Sequence, residues 1–255
     1  MLATREKAVI IIPTHNEALV IEETLRQVFE RTQDLGDFAI EVLVFDSAST
    51  DETQAIVQRL IPLYAGKLHL QVEPYKTGLG SAYLKAMTYA LHELNADVIL
   101  EFDADLSHQP KYLEPILMLL KTCDVVVGSR YVEGGSIPQN WGVHRKFLSV
   151  LGNYIARIML TRCYQDFTSG FRATRRHMLL QILPDNFLSN HYAYKLHLLW
   201  LLHKNNADIK EFPIQFIDRQ HGKSKLPSNS IKDALQVLFK LRFQEIKCFL
   251  KMRYE

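Results

Sequence analysis

The feature that most constrains this chain is an alternation. Five short apolar runs, "AVIII" (8–12), "IEVLVF" (40–45), "KLHLQV" (67–72), "DVILEF" (97–102) and "DVVVGS" (124–129), are separated by stretches of helical spacing at 17–32, 51–64, 79–95 and 110–122. The runs are rich in β-branched residues and too short for helices, so they read as strands. Between the first two, Leu19, Ile21, Leu25, Val28 and Phe29 recur at the spacing that lines one helix face. Strands that alternate with helices and are themselves almost wholly apolar belong to a mainly parallel sheet covered by helices on both faces. In such sheets ligands sit outside the carboxyl ends of the strands. Those ends carry "PTHNE", "FDSASTD", "FDADLSH" and "GSRY".

The second half has a different texture. An amphipathic helix is expected over 144–161, a short polar-aromatic sheet segment at "DFTSGFRA" (166–173) and a helix over 192–204. "DIKEFPIQF" (208–216) reads as a strand whose internal Pro213 confines it to an edge. A basic loop, "DRQHGKSKLP", follows. The last segment, from Ser230, is a helix with Leu235, Leu238, Phe239, Leu241, Phe243, Phe249 and Leu250 against Lys and Arg. With 255 residues, 47% hydrophobic and 23% charged, the chain can build a full core. It shows no linker, repeat or low-complexity tract, so one domain (1–228) with a helical C-terminal extension (229–255) is expected.

Net charge is +2, which excludes general nucleic-acid binding by charge alone. Three cysteines, Cys123, Cys163 and Cys248, lack CxxC or zinc-ligand spacing and read as free thiols of a reducing compartment. The N-terminal apolar stretch ends at Pro13, too short for a signal core, and no run reaches the roughly 20 apolar residues of a membrane span. A cytoplasmic protein, soluble or peripheral on a membrane, is the expectation. The ten histidines show no metal-binding spacing.

Asp103 and Asp105 stand one residue apart at the end of the fourth run. Side chains at i and i+2 of a strand point the same way. Two converging carboxylates repel unless a cation lies between them. A Mg²⁺-like ion takes carboxylate oxygens and completes its shell with water and substrate phosphates. The pair therefore suggests a metal–diphosphate site, and capping of the helix after Pro110 is the plainer alternative. At the other strand ends, Glu17 and Asp46 can accept hydrogen bonds from a base or ribose. Capping by Asn16 of the first helix, and by Ser49 or Asp51 of the second, is equally open. "TGLGSA" at Gly78 and Gly80 reads first as a tight turn into a helix. Arg145 and Ser149 are four apart near a helix start and share one face, the makings of an anion site. Arg145 alone also reads as a surface residue with its stem lying on apolar neighbours.

Taken in order, "PTHNE", "FDSASTDET", "YKTGLGSAYLKA", "FDADLSHQP", "GSRY", "RKFLS", "DFTSGFRA" and "DRQHGKSKL" resemble glycosyltransferase family two over about residues 8–240. Within it, the chain is similar to the dolichol-phosphate (polyprenol-phosphate) mannose synthases. The resemblance implies a single Rossmann-like domain of GT-A type and transfer of mannose from GDP-mannose to a polyprenyl or dolichyl phosphate with inversion. A UDP-sugar such as UDP-glucose is the alternative donor. It implies donor contacts at Pro13, Glu17, Asp46, Gly80, Asp103, Asp105, Arg219 and Lys225, and a divalent cation, Mg²⁺ or Mn²⁺, on Asp103 and Asp105. The acceptor phosphate falls to Arg130, Arg145, Ser149 and Arg172, and the chemistry to Asp105, Arg130 and Arg219.

A phosphate acceptor is already anionic, so no catalytic base is required, and Asp166 is expected to be a structural hydrogen-bonding residue. A lipid acceptor requires membrane contact, through the final helix, the apolar side of 147–159 (Leu148, Leu151, Ile155, Ile158, Met159) or an anchoring partner protein. The chain departs from the family pattern at Ser47, where a second Asp is frequent, at His15, and at Lys195 and His197, where many relatives carry Gln and Glu. These departures leave a non-catalytic nucleotide-sugar-binding protein, or a transferase acting on a soluble glycan, as the rival readings.

Overall fold

The computed structural model describes residues 5–219 and 229–254, with side chains described as far as 247. Seven strands form one sheet: β1 (Glu6–Thr14), β2 (Phe38–Ser47), β3 (Leu68–Glu73), β4 (Val98–Glu101), β5 (Val125–Ser129), β6 (Arg172–Arg175) and β7 (Ile209–Pro213), in the order β3-β2-β1-β4-β6-β5-β7. β1, β2, β3 and β4 pair in parallel, as do β5 and β7. β6 lies antiparallel between β4 and β5. The expected mainly parallel sheet is present, and Pro213 closes an edge strand. The reversal at β6 was not foreseen: "FRA" gives a strand but no direction.

Among the described residues eight α-helices accompany the strands: α1 (Ile21–Arg31), α2 (Thr53–Leu60), α3 (Leu79–His92), α4 (Leu113–Leu120), α5 (Val143–Met159), α6 (Arg176–Ile182), α7 (Tyr194–Lys204) and α8 (Ser230–Tyr254). Period two in β1 sorts the core. Ala8, Ile10 and Ile12 face a layer with α1, α2 and α4, whereas Val9 and Ile11 face α3, α7 and α8. All five are fully buried, each removal from water stabilising by roughly 1.5–3 kcal/mol for the Val and Ile side chains. In α8, Val237, Leu238 and Leu241 are buried, whereas Phe239 and Phe243 remain 64% and 58% exposed. Among the described residues no helix is long and apolar enough to cross a membrane.

Several boundaries differ from the sequence reading for local reasons. α1 begins at Ile21, not at 17, because residues 17–20 form a turn in which Val20 and Ile21 donate to the Glu17 carbonyl. Asn16 does not cap it. Asn16 adopts φ 54° and accepts from the Thr50 N–H, and its own N–H donates to Ser49 Oγ. Leu19 is correspondingly 80% exposed. At α2 the cap position falls to Glu52, without a side-chain cap bond; Asp51, one residue earlier, accepts the Thr53 N–H at 3.0 Å, and Ser49 bonds Asp46. Asp103 and Asp105 do not cap the turn at Pro110. Asp105 accepts the Ser107 N–H at 3.0 Å, within its own turn. α6 is an addition to the helices that the sequence pattern predicts.

Candidate active site

Chain order reverses beside β1. β2 and β3 extend the sheet to one side, and α3 then carries the chain back to β4 on the other. A crevice must open outside the carboxyl ends of β1 and β4, where flanking connections diverge. Two cavities lie there. The smaller, about 300 Å³, is lined by Pro13, Thr14, His15, Glu17, Ser47, residues 76–79, Asp103, Ala104 and Asp105. The larger, about 590 Å³, runs from Asp103, His108, Arg130, Ser169 and Lys195 past Arg145 and Ser149. It ends between Leu148, Leu151 and Ile155 of α5 and Ile231, Leu235 and Leu238 of α8. Asp103, Tyr192 and Arg219 wall both.

Three turns that carry the site are held in the left-handed region by residues with a side chain: Asn16 (φ 54°) after β1, Ala48 (φ 54°) after β2 and Leu106 (φ 59°) after β4. Such backbone costs of order 1–2 kcal/mol per residue and persists only where surroundings enforce it. After β2 the enforcer is Asp46. It is fully buried and accepts from Ser49 N, Ser49 Oγ, Thr14 Oγ1 and Gln54 Nε2. Asp46 therefore builds the wall and does not face the cavity, a correction to its expected donor contact. Ser47 lines the cavity in its place.

After β4, His108 is the organiser. Its Nδ1 accepts the Asp103 N–H at 3.1 Å, which leaves the proton on Nε2, 3.6 Å from Asp103 Oδ2. Burial first, with the Lys195 charge adding to it, pushes the His108 pKa down to about 3, so the ring is neutral. Sequence reasoning missed His108, since five residues of separation say nothing until the turn is known. Asp105 bonds Ser107 and pairs with Arg219 Nη2 at 3.2 Å. Among the described residues no three His, Cys, Asp or Glu side chains come together as a metal cage. Two hard carboxylates at the junction of the cavities nevertheless suit an ion whose other ligands are water and phosphate oxygen.

On the larger cavity's wall, Arg130 is fixed by Asp166. Nε and Nη2 reach the two carboxylate oxygens at 2.7 and 2.8 Å, Nη2 also reaches Thr168 at 2.7 Å, and the Arg130 N–H adds a bond at 3.1 Å. Burial works against both charges, but each holds the other ionised: the Asp166 pKa stays below and the Arg130 pKa above its ordinary value. Asn153 of α5 clamps the same segment, accepting the Phe167 N–H at 2.8 Å. Arg145 lies 3.8 Å over the Trp141 ring and 3.5 Å from Asp218, while Ser149 shares a 2.6 Å bond with Tyr131. As the four-residue spacing required, Arg145 and Ser149 face one cavity.

Two further expectations are corrected. Arg172 lines neither cavity: it is 2% exposed, with Nε 2.5 Å from Glu101, whose other oxygen accepts from Tyr194 at 2.8 Å. It pairs across β6 and β4 beneath the site. Gly80 gives its N–H to Asn190 O and does not face the donor cavity. A Cβ on it would come within 2.6 Å of Ser189 O, so the glycine permits close packing behind the wall. Gly78, at φ 105°, is the cavity-lining member of that pair. Lys225, like Lys223, lies outside the described residues.

The fold is an α/β sheet with two adjoining cavities outside the carboxyl ends of its strands. The glycosyl transferase family 2 model matches residues 9–183, and the chain belongs to that family. It is 33% identical over 231 residues to the polyprenol monophosphomannose synthase of Mycolicibacterium smegmatis, covering 90% of this chain and 84% of that one. It is 34% identical over 225 residues to the undecaprenyl-phosphate mannosyltransferase of Micrococcus luteus, covering 88% and 89%. Among solved structures, glucosyl-3-phosphoglycerate synthase from Mycobacterium tuberculosis with uridine-diphosphate matches with TM-score 0.65 at 20% identity, covering 94% of this chain and 81% of that one. A mannosyltransferase from Pyrobaculum calidifontis with GDP-Man and Mn2+ matches with TM-score 0.56 at 20% identity, covering 87% and 59%. The solved structures speak to the fold.

Proposed function

We propose that this chain transfers mannose from GDP-mannose to a polyprenyl phosphate, forming a lipid-phosphate sugar with inversion at the anomeric carbon. The observation that carries the reading is the larger cavity. It is ionic where it meets Asp103 and Arg130, and apolar where it opens between α5 and α8, the outline of a phosphate on a hydrocarbon chain. The names of the relatives at 33% and 34% identity support the same acceptor and sugar.

In this reading the smaller cavity takes the nucleoside, against Pro13 and Glu17. Asp103 and Asp105 would hold a divalent cation, Mg²⁺ or Mn²⁺, which neutralises charge on the donor diphosphate. Arg219, at the boundary, adds a second positive charge for the leaving group. The acceptor phosphate binds near Arg130, Arg145 and Ser149. One of its oxygens attacks the anomeric carbon, the bond from that carbon to the diphosphate breaks, and the electron pair departs with GDP. Because the nucleophile is already an anion, no side chain has to remove a proton. Catalysis consists of alignment and charge stabilisation.

The exposed apolar side chains Phe147, Val150, Tyr154 and Ile158 on α5, and Phe239 and Phe243 on α8, interspersed with Lys146, Lys240 and Arg242, would rest on the membrane from which the lipid comes. The test is transfer from labelled GDP-mannose or UDP-glucose to farnesyl phosphate, with Mg²⁺, Mn²⁺ or chelator, by wild type and Asp105→Ala. Metal-dependent mannolipid from wild type, lost in the variant, supports the reading. No lipid product under any condition overturns it, and product from UDP-glucose alone changes the donor.

A further inference from the structure

Lys195, on α7, is one of the charged residues whose burial the mechanism above leaves unexplained. It is 4% exposed and lines the larger cavity. Room for it is made by Gly170: a Cβ there would lie 2.3 Å from Lys195 Nζ and 3.3 Å from His108 Cε1. The "TSG" glycine is thus a notch for an ammonium group.

The charges around it do not offset it. Among the described residues no carboxylate lies within 4.0 Å of Nζ, and its recorded partner is the Tyr192 ring at 5.0 Å. Glu101 is already held by Arg172 and Tyr194. The other cations of this cavity each face a carboxylate: Arg130 has Asp166, Arg145 has Asp218 and Arg219 has Asp105. Burial accordingly pushes the Lys195 pKa below the ordinary lysine value, with Asp103 and Glu101 pulling it back from longer range. A desolvated cation without a partner costs stability, and a visiting anion removes that cost. Of the two cavities, Lys195 lines only the amphipathic one, so the anion it meets is the acceptor's and not the nucleotide's.

We propose that Lys195 is an acceptor-binding residue, its ammonium in the Gly170 notch donating to a phosphate oxygen of the lipid acceptor alongside Arg130. The assignment rests on the reaction proposed above. It gives the chain a phosphate contact from α7 in addition to those from the bend after β5 and from α5.

The experiment compares wild type with Lys195→Met, similar in length and uncharged, using GDP-mannose and farnesyl phosphate. A hydrogen bond to a charged group is worth about 1.5–3 kcal/mol, so the acceptor KM should rise by roughly tenfold or more. The donor KM and the calorimetric affinity for GDP should stay within about twofold of wild type on the same accounting. Because an unpaired buried charge has been removed, the Tm of the variant should equal or exceed that of wild type. An unchanged acceptor KM, a parallel loss for both substrates, or a lower Tm accompanying the loss overturns the proposal while leaving the mannosyl transfer standing. A wild-type protein that neither binds farnesyl phosphate nor transfers to it overturns both.

Discussion

Asp166 and Arg130 form the pair on which one side of the site depends, and they support a quantitative test. Asp166→Asn preserves shape but removes the charge facing a guanidinium whose side chain is 9% exposed. Arg130 keeps its Thr168 bond and its place over the Tyr131 and Phe216 rings, but loses the carboxylate that Nε, Nη2 and the backbone N–H all used. Removing one member of a buried pair costs about 3–5 kcal/mol. For a chain of this size that corresponds to a Tm loss of roughly 6–20 °C.

The reverse substitution should cost less. In Arg130→Met the Asp166 carboxylate retains the backbone N–H groups of Arg130 and Thr168, at 3.1 Å each. Urea unfolding of both variants, read as a shift in midpoint at constant m, measures the asymmetry. The Asp166 pKa is lowered in the fold, so its stabilisation is complete above the unfolded carboxylate value near 4 and fades as pH falls further. The gap between wild type and Asp166→Asn should therefore be full at pH 7 and narrow below about pH 4. An Asp166→Asn protein within about 1 kcal/mol of wild type, or an Arg130→Met protein that loses more, refutes the assignment of charge compensation to this pair.

Three shorter predictions follow from other positions. Gly78→Ala would place a Cβ 2.3 Å from Asn190 O at φ 105°, so unfolding by urea should show a loss of about 2 kcal/mol or more. His197, with Nδ1 accepting the Leu188 N–H, is pushed down to about 4 by burial. Unfolded chains therefore bind its proton first, and stability should fall by roughly 1.4 kcal/mol per pH unit from about 6.5 towards 4. His197→Gln should flatten that slope in urea titrations at pH 7 and pH 5. Replacing Phe147 and Phe243, 62% and 58% exposed, by Glu should reduce sedimentation with anionic vesicles by about tenfold or more, whereas unchanged sedimentation would remove those helices from the membrane contact.

Much of the architecture was legible because its signals are local. The apolar runs gave β1 to β5, and Pro213 gave the edge, since periodicity and missing donors need no partner to be recognised. The direction of β6 was not legible, because strand polarity depends on neighbours far away in the chain. At the site, the strand-end rule pointed to Pro13, Glu17, Asp103, Asp105 and Arg130, and the four-residue helical spacing to Arg145 and Ser149, and all seven line the adjoining cavities. The strand-end reading of Asp46 and the resemblance-based role of Arg172 failed for a shared reason. A charged residue beside a site can face inward as well as outward, and Thr14, Gln54 and Glu101, the partners that decide this, lie on other elements. Lys195 shows the converse. Its sequence position marked a departure from relatives, but only its burial against Gly170 showed what the departure accommodates.

The walls common to both cavities bear on kinetics. Asp103, Tyr192 and Arg219 wall both cavities, so under the proposed reaction a ligand in one lies against residues that also face the other. Substrates that meet across such a partition must be present together, and double-reciprocal plots for the pair should intersect instead of running parallel. Intersecting lines would fit direct transfer between two bound substrates, and parallel lines would point to a covalent sugar intermediate instead.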